Sequence, residues 1–147
     1  MRTRLFLVVL TFFAILVVAD AALAEIGQIK TLNGEVYIVR DNNRIPAKLG
    51  TILFQADIVE TGSSGSVGIT FIDNSRFAAG PDTRLELSRF RFNPTTQDGE
   101  FLTNLDKGTL TVISGQIAKR SNEAMKIKTP TTILGFRGTR VAVKVTE

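Results

Sequence analysis

From Ile26 onward, short runs of alternating apolar and polar residues are broken by Gly, Asn, Asp and Pro, roughly every eight to twelve residues. Such punctuation predicts strands joined by tight turns, and almost no stretch has the 3.6-residue period of a helix. Ser66–Ile72 shows the pattern most cleanly, with Val67, Ile69 and Phe71 on one side and Ser66, Gly68 and Thr70 on the other. In Glu35–Arg40 the residues Val36, Ile38 and Arg40 share one face, and Tyr37 and Val39 the other. Thr83–Phe92 is the longest expected strand. Its Leu85 and Leu87 are odd-numbered while Phe90 and Phe92 are even-numbered. Both pairs can face one core only if a bulge or bend lies near Ser88-Arg89, because side chains alternate strictly along a strand.

The remaining runs follow the same logic. Ile26–Leu32 leads through Asn33-Gly34, a hairpin-type dipeptide, into Glu35–Arg40, and Asp41-Asn42-Asn43 turns the chain into Arg44–Ala47. Ile52–Phe54, Ile58–Thr61 and Arg76–Ala79 are further short strands, and Asn93–Glu100 is expected to be a mobile loop. Phe101–Asp106, Gly108–Ser114, Gln116–Ala118, Met125–Lys128, Thr131–Phe136 and Arg140–Val145 complete the set, with Lys119–Ala124 as a polar loop. The fold class is all-β in a single domain. Short strands with one buried face fit solenoid-like stacking and a β-sandwich alike.

The first 24 residues are read as an address rather than as part of the fold. Arg2 and Arg4 precede an apolar run, Leu5–Val18, and Ala22-Leu23-Ala24 offers the small-x-small pattern of a signal-peptidase site, with cleavage expected before Glu25. A retained membrane anchor is the alternative. A spanning helix needs about 20 apolar residues, and Asp20 interrupts the run. The processed chain would be 25–147, a periplasmic or secreted domain of bacterial type with no stable membrane span. It has no cysteine, so packing alone must stabilise it in an oxidising compartment.

Charge changes the picture in the last third. Glu25–Asp106 carries eight Lys/Arg against eleven Asp/Glu, whereas Lys107–Glu147 carries eight against two. A basic segment would ordinarily raise nucleic acid as a partner, but an exported protein meets other anions first. Lys119, Arg120, Lys126 and Lys128 are therefore candidate contacts for an anionic envelope polymer, a lipid, or an acidic protein face.

Catalytic side chains are scarce. The sequence has neither histidine nor cysteine, which removes Ser-His-Asp and Cys-His triads, thiolate zinc sites and imidazole metal sites together. Asp82-Thr83-Arg84 lacks the glycine of an aspartic-protease turn. Asp73-Asn74-Ser75 lacks the spaced ligands of a calcium loop and reads as a tight turn. Gly62-Ser63-Ser64-Gly65 lacks the Gly-Lys-Ser/Thr ending of a phosphate cradle. Arg89-Phe90-Arg91-Phe92 mixes basic and aromatic residues as single-strand binders do, but alternation favours core phenylalanines and solvated arginines. A carboxylate hydrolase would need two acids converging in a cleft. No catalytic residue, cofactor or metal is expected.

Near the end, Lys128-Thr129-Pro130 is followed by Gly135-Phe136-Arg137-Gly138-Thr139. Gly135 and Gly138 read as corners taking positive φ and fixing Arg137. Its guanidinium would either meet an anion or tie neighbouring carbonyls or a carboxylate together in a buried corner, and the flanking glycines favour the second.

These fragments form a series along the chain. Gly34-Glu35-Val36-Tyr37-Ile38-Val39-Arg40 and Leu49-Gly50 are followed by Asp57-Ile58-Val59-Glu60-Thr61-Gly62, Ser66-Val67 and Phe71-Ile72-Asp73-Asn74-Ser75. Pro81-Asp82-Thr83-Arg84-Leu85-Glu86-Leu87, Gly108-Thr109-Leu110 and Ser114-Gly115 come next, before the closing pair of motifs. In this order they resemble the periplasmic FecR-type domain. The resemblance implies solenoid-like stacking of short strands and structural roles for Thr61, Gly62, Asp73, Pro130, Gly135, Arg137, Gly138 and Thr139. It also implies a non-enzymatic protein-interaction module. In signalling members this domain contacts the signalling domain of an outer-membrane iron transporter, and a membrane helix and anti-sigma segment carry the message inward. Here a leader stands in place of the anti-sigma segment, so a stand-alone sensor or accessory of envelope signalling or transport is expected. Its partner would be another envelope protein, docked on an exposed strand edge or on the basic C-terminal third.

Overall fold

The structure is a computed structural model describing residues 22–146. Nearly all of the expected leader, Met1–Ala24, lies outside the described residues. The strands are β1 (Glu25–Asn33), β2 (Val36–Arg40), β3 (Asn43–Pro46), β4 (Ile52–Phe54), β5 (Ile58–Thr61), β6 (Ser66–Phe71), β7 (Arg76–Ala79), β8 (Arg84–Phe92) and β9 (Gly99–Ile113). A short helix, α1 (Gln116–Arg120), precedes β10 (Met125–Lys128), β11 (Ile133–Gly135) and β12 (Arg140–Val145). The domain is all-β, as the alternation predicts, and its strands join in one curled sheet that forms a half-barrel.

The curl is organised by β9, which belongs to two arms. Its first half pairs with β8 antiparallel and with β10 parallel; its second half pairs with β7 and β12, both antiparallel. One arm, here arm A, comprises β1, β4, β6, β7, the second half of β9 and β12. The other, arm B, comprises β2, β3, β5, β8, the first half of β9, β10 and β11. The expected separate strands Phe101–Asp106 and Gly108–Ser114 are thus one strand. Its change of arm falls near Gly108, whose φ of 95° bends the backbone without ending the pairing.

Local chemistry accounts for the turns. Asp41 and Asn42 lie at φ 50° and 62° between paired Arg40 and Asn43, the two-residue turn with positive φ that matches strand twist. The bulge required by the parity of β8 is present. Glu86 pairs with Asn104 and Arg89 with Leu102, so β8 holds one extra residue there and both Leu87 and Phe90 are buried. Asn33-Gly34 does not make the expected hairpin, however. β1 pairs with β4 and β6, and β2 pairs with β3 and β5, so this turn passes the chain from arm A to arm B.

Gln116–Ala118 also differs from expectation, being helical rather than extended. The chain must cross from the end of β9 to a parallel β10, and a parallel pair requires such a crossover. The turn at Asp73 provides partners for the helix's first N–H groups: Gln116 N–H donates to the Asp73 carbonyl (2.8 Å) and Ile117 N–H to Asp73 Oδ2 (3.3 Å).

Both arms face one core. Phe71 and Phe77 from arm A meet Phe90 and Phe101 from arm B, with Phe101 4.7 Å from Phe71, 5.0 Å from Phe77 and 4.8 Å from Phe90 between ring centres. Edge-to-face and stacked pairs of this kind add about 0.5–1.5 kcal/mol each beyond area burial. Around them lie Ile29, Leu53, Ile69, Leu85, Leu105 and Leu110, so the arms are fixed to each other by apolar burial.

Candidate functional site

On β2 the core-facing row runs Val36, Ile38 and then Arg40, and a cation in that position needs a partner. Asp57, 1% exposed, supplies it: Arg40 Nε donates to Oδ1 (2.8 Å) and Nη2 to Oδ2 (2.7 Å), a two-pronged pair. Nη2 also donates to the Ile52 carbonyl (3.0 Å), Phe54 N–H donates to Asp57 Oδ2 (2.8 Å), and the guanidinium lies over the Phe54 ring at 4.5 Å. Hydrogen bonding to Asp57 pushes the Arg40 pKa above its usual value. The node joins β2 to the β4–β5 turn. Its signal in the sequence was the arginine on the apolar face of Glu35–Arg40, which by itself names no partner.

Two further polar clusters hold the half-barrel together. Asp73 is fully buried; Oδ1 accepts from Ser75 N–H (3.0 Å) and Oδ2 from Ser75 Oγ (2.7 Å). Ser75 Oγ in turn accepts from Gly115 N–H (3.0 Å), so this turn secures the start of α1. Thr61 Oγ1 donates to the Gly80 carbonyl (2.6 Å) and accepts from Thr83 N–H (2.9 Å). Gly62 N–H donates to the Glu35 carbonyl (2.9 Å), and its own carbonyl accepts from Gly65 and Asp82 N–H groups.

The segment around Arg137 is more open than its glycines suggest. Gly138 has φ 58°, with nothing near the position of a Cβ; its backbone conformation alone calls for glycine. Gly135 is not at positive φ. A Cβ there would lie 2.6 Å from the Asn122 carbonyl oxygen, so close approach is its constraint. Phe136 points inward and is 8% exposed, while Arg137 is exposed and donates from Nε to the Lys119 carbonyl (3.2 Å) at the end of α1. The expected buried corner is therefore a surface contact, because inward orientation falls to the phenylalanine of the alternating pair. Thr139 joins β9's end to the last strand: Ser114 Oγ accepts from Thr139 N–H (2.8 Å) and donates to its carbonyl (2.9 Å). Pro130 is exposed in the turn closed by Thr129 N–H to the Thr132 carbonyl (2.8 Å). An Arg137→Ala variant should lose no more than about 1 kcal/mol in urea unfolding, the worth of one exposed hydrogen bond. A larger loss would restore a central structural role.

The four candidate cations are engaged differently. Lys119 and Arg120 end α1, and Arg120 donates to the Thr96 carbonyl in the β8–β9 loop. Lys126 pairs with Glu123 at 2.8 Å and holds that carboxyl's pKa below its usual value. Lys119 and Lys128 are exposed, with no ion pair among the described residues. Arg89 pairs with Glu100 (3.3 Å) beside the buried Phe90.

The described residues contain no group of three or more His, Cys, Asp or Glu placed to hold a metal ion. No helix among them is long and apolar enough to cross a membrane. Surface grooves are present among the described residues. One, of about 420 Å³, lies between the Thr129–Thr132 turn and the end of β12 and includes Asp106, Val143 and Val145 in its lining. β12 pairs only with β9 among the described residues, so its other edge is free.

None of the curated proteins compared with the chain matches it. A solved structure described as a "Cell surface anchoring domain" is similar at 36% identity, over 43% of this chain and 84% of that chain, with a TM-score of 0.42. The family described as "FecR protein" matches residues 57–147, from the Asp57 of the buried pair through the last strand. The motif fragments Gly34–Arg40 and Leu49-Gly50 lie before that span, and all the later ones lie within it. On this match over more than half its length, the chain belongs to the FecR protein family.

Proposed function

We propose that residues 1–24 direct export and that 25–147 act in the bacterial envelope as a non-catalytic interaction module, a sensor or accessory in signalling or transport. The protein partner presents an extended, acidic segment that adds as a strand to the free edge of β12. The observation that carries this reading is the state of that strand. Val141, Val143 and Val145 are only half-buried, while Arg140, Ala142 and Lys144 are exposed, so β12 leaves both a backbone edge and an apolar row incompletely covered. A strand with alternating apolar and acidic residues would extend the valine row on one face and meet Arg140 and Lys144 on the other. The groove beside the Thr129–Thr132 turn leaves room for it.

Isotope-labelled protein titrated with a synthetic peptide of alternating valine and glutamate tests the mode of docking. Amide shifts are expected at Arg140–Thr146 and Thr129–Thr132. Shifts confined to the opposite edge strand, Asn43–Pro46, or none at all, would defeat the proposal.

A further inference from the structure

The ion pairs are unevenly distributed. Among the described residues they join Arg40 to Asp57, Arg44 and Arg84 to Glu60, Arg84 to Asp106, Arg89 to Glu100, and Lys126 to Glu123. All belong to arm B, its turns, or the crossover after α1. Arm A is different: its strands bring Lys30, Arg76, Arg140 and Lys144 to the surface, and none of these takes part in an ion pair among the described residues. Glu25, at the very start of β1, is the only acid in those strands. Asp73, in the turn between β6 and β7, is buried and satisfied by Ser75 and Ile117. Among the described residues, the outer face of arm A is therefore a positive field without a balancing acid, which concentrates anions.

Register places these cations around a recessed floor. Arg76 stands opposite Ile113, and Ile113 opposite Arg140, forming one cross-strand row. The next row runs Thr31, Gly68, Ala78, Thr111 and Ala142, and beyond it Thr109 is opposite Lys144. Strands about 4.8 Å apart make this row of five roughly 19 Å long. Short side chains recess it below the flanking arginines and lysines, and part of it forms a depression of about 230 Å³ edged by Lys30 and Arg76.

We infer that the outer face of arm A binds a linear acidic polysaccharide, laid across the strands along the Thr31–Ala142 row with its acidic groups on Arg76, Arg140 and Lys144. This goes beyond the strand-docking role of β12, since it uses the face of the sheet rather than its edge. A recessed, elongated floor suits a chain better than a flat bilayer, and no apolar side chain protrudes from this row to enter lipid. The face has no exposed aromatic anchor of the kind that dominates protein interfaces; the large aliphatics Ile52 and Ile113 on its strands are half-buried, and the exposed Ile72 lies in the β6–β7 turn, off the row. Threonine hydroxyls on the floor at Thr31 and Thr111 can donate to and accept from sugar hydroxyls.

The probe is polygalacturonate, a linear uronic-acid polymer, with its methyl ester as the uncharged counterpart, titrated calorimetrically at about 50 mM and 200 mM salt. Polygalacturonate should bind, its affinity should fall by about tenfold or more across that range, and the ester should not bind detectably. The triple variant Arg76→Gln, Arg140→Gln, Lys144→Gln should lose about tenfold or more at the lower salt. Ala78→Tyr, which keeps every cation but fills the floor, should also weaken binding, while Lys119→Gln with Lys128→Gln should leave it unchanged. Thermal unfolding by circular dichroism confirms that each variant is folded. Absence of binding at the lower salt overturns the proposal, as does equal loss in the Lys119/Lys128 control or indifference to Ala78→Tyr. Tighter, triple-variant-sensitive binding to phosphatidylglycerol vesicles would overturn it in favour of a membrane surface, and peptide shifts at β12 would persist in either case.

Discussion

Arg40→Ala should lower the free energy of unfolding by about 3–5 kcal/mol, read from urea denaturation with the slope unchanged. The loss comes less from the missing attraction than from what remains: Asp57, 1% exposed, would be left buried without its cation and with fewer of its hydrogen bonds. The Ile52 carbonyl would lose a donor and the Phe54 ring its covering guanidinium. Arg40→Lys should recover only part of the loss, because an ammonium cannot make the paired contacts at 2.8 and 2.7 Å together with the one to Ile52. The double variant Arg40→Met with Asp57→Asn should be more stable than Arg40→Ala alone. It buries no lone charge, and the asparagine oxygen can still accept from Phe54 N–H. A double variant as unstable as Arg40→Ala would refute the account based on an orphaned charge.

Asp73→Ala should cost about 3–4 kcal/mol, because one fully buried side chain accepts from Ser75 N–H, Ser75 Oγ and Ile117 N–H at once. Without it, Ser75 Oγ also loses the orientation in which it accepts from Gly115 N–H. The loss should have a local signature in amide hydrogen exchange, with protection falling at Gly115 and Ile117 further than the global stability change accounts for. Asp73→Asn should lose less than Asp73→Ala. It keeps the shape and one acceptor oxygen, although its NH₂ would face a donor. Uniform loss of protection across the domain, with no excess at α1, would show that the turn does not hold the helix.

The strands and turns were largely legible because they rest on local rules. Alternation placed Val67, Ile69 and Phe71 on one face, and all three are buried. The parity change in β8 required a bulge, and β9 pairs around one. Pairing partners were less legible. Asn33-Gly34 is compatible with a hairpin, but a turn dipeptide cannot choose between returning along β1 and crossing to the other arm; burial of both arms' apolar faces makes that choice. The helix after β9 has only one short turn's worth of residues, too few to display a period, and its stability is borrowed from Asp73, more than forty residues earlier in the chain.

The candidate contacts show the same division. Read along the sequence, positive charge gathers in the last third and points to Lys119, Arg120, Lys126 and Lys128. In the fold, Lys126 is neutralised by Glu123, while Lys30 and Arg76 join Arg140 and Lys144 on a face that no linear count reveals.

The sequence by itself determined the all-β class, most strand positions, the bulge and the family series of motifs, because each depends on the side-chain period or on residues a few positions apart. The tertiary structure alone decided the curl through β9, the Arg40–Asp57 pair, the surface position of Arg137 and the basic face of arm A. Those features depend on which distant strands become neighbours, and that is settled by closing one apolar core and satisfying every polar group buried with it.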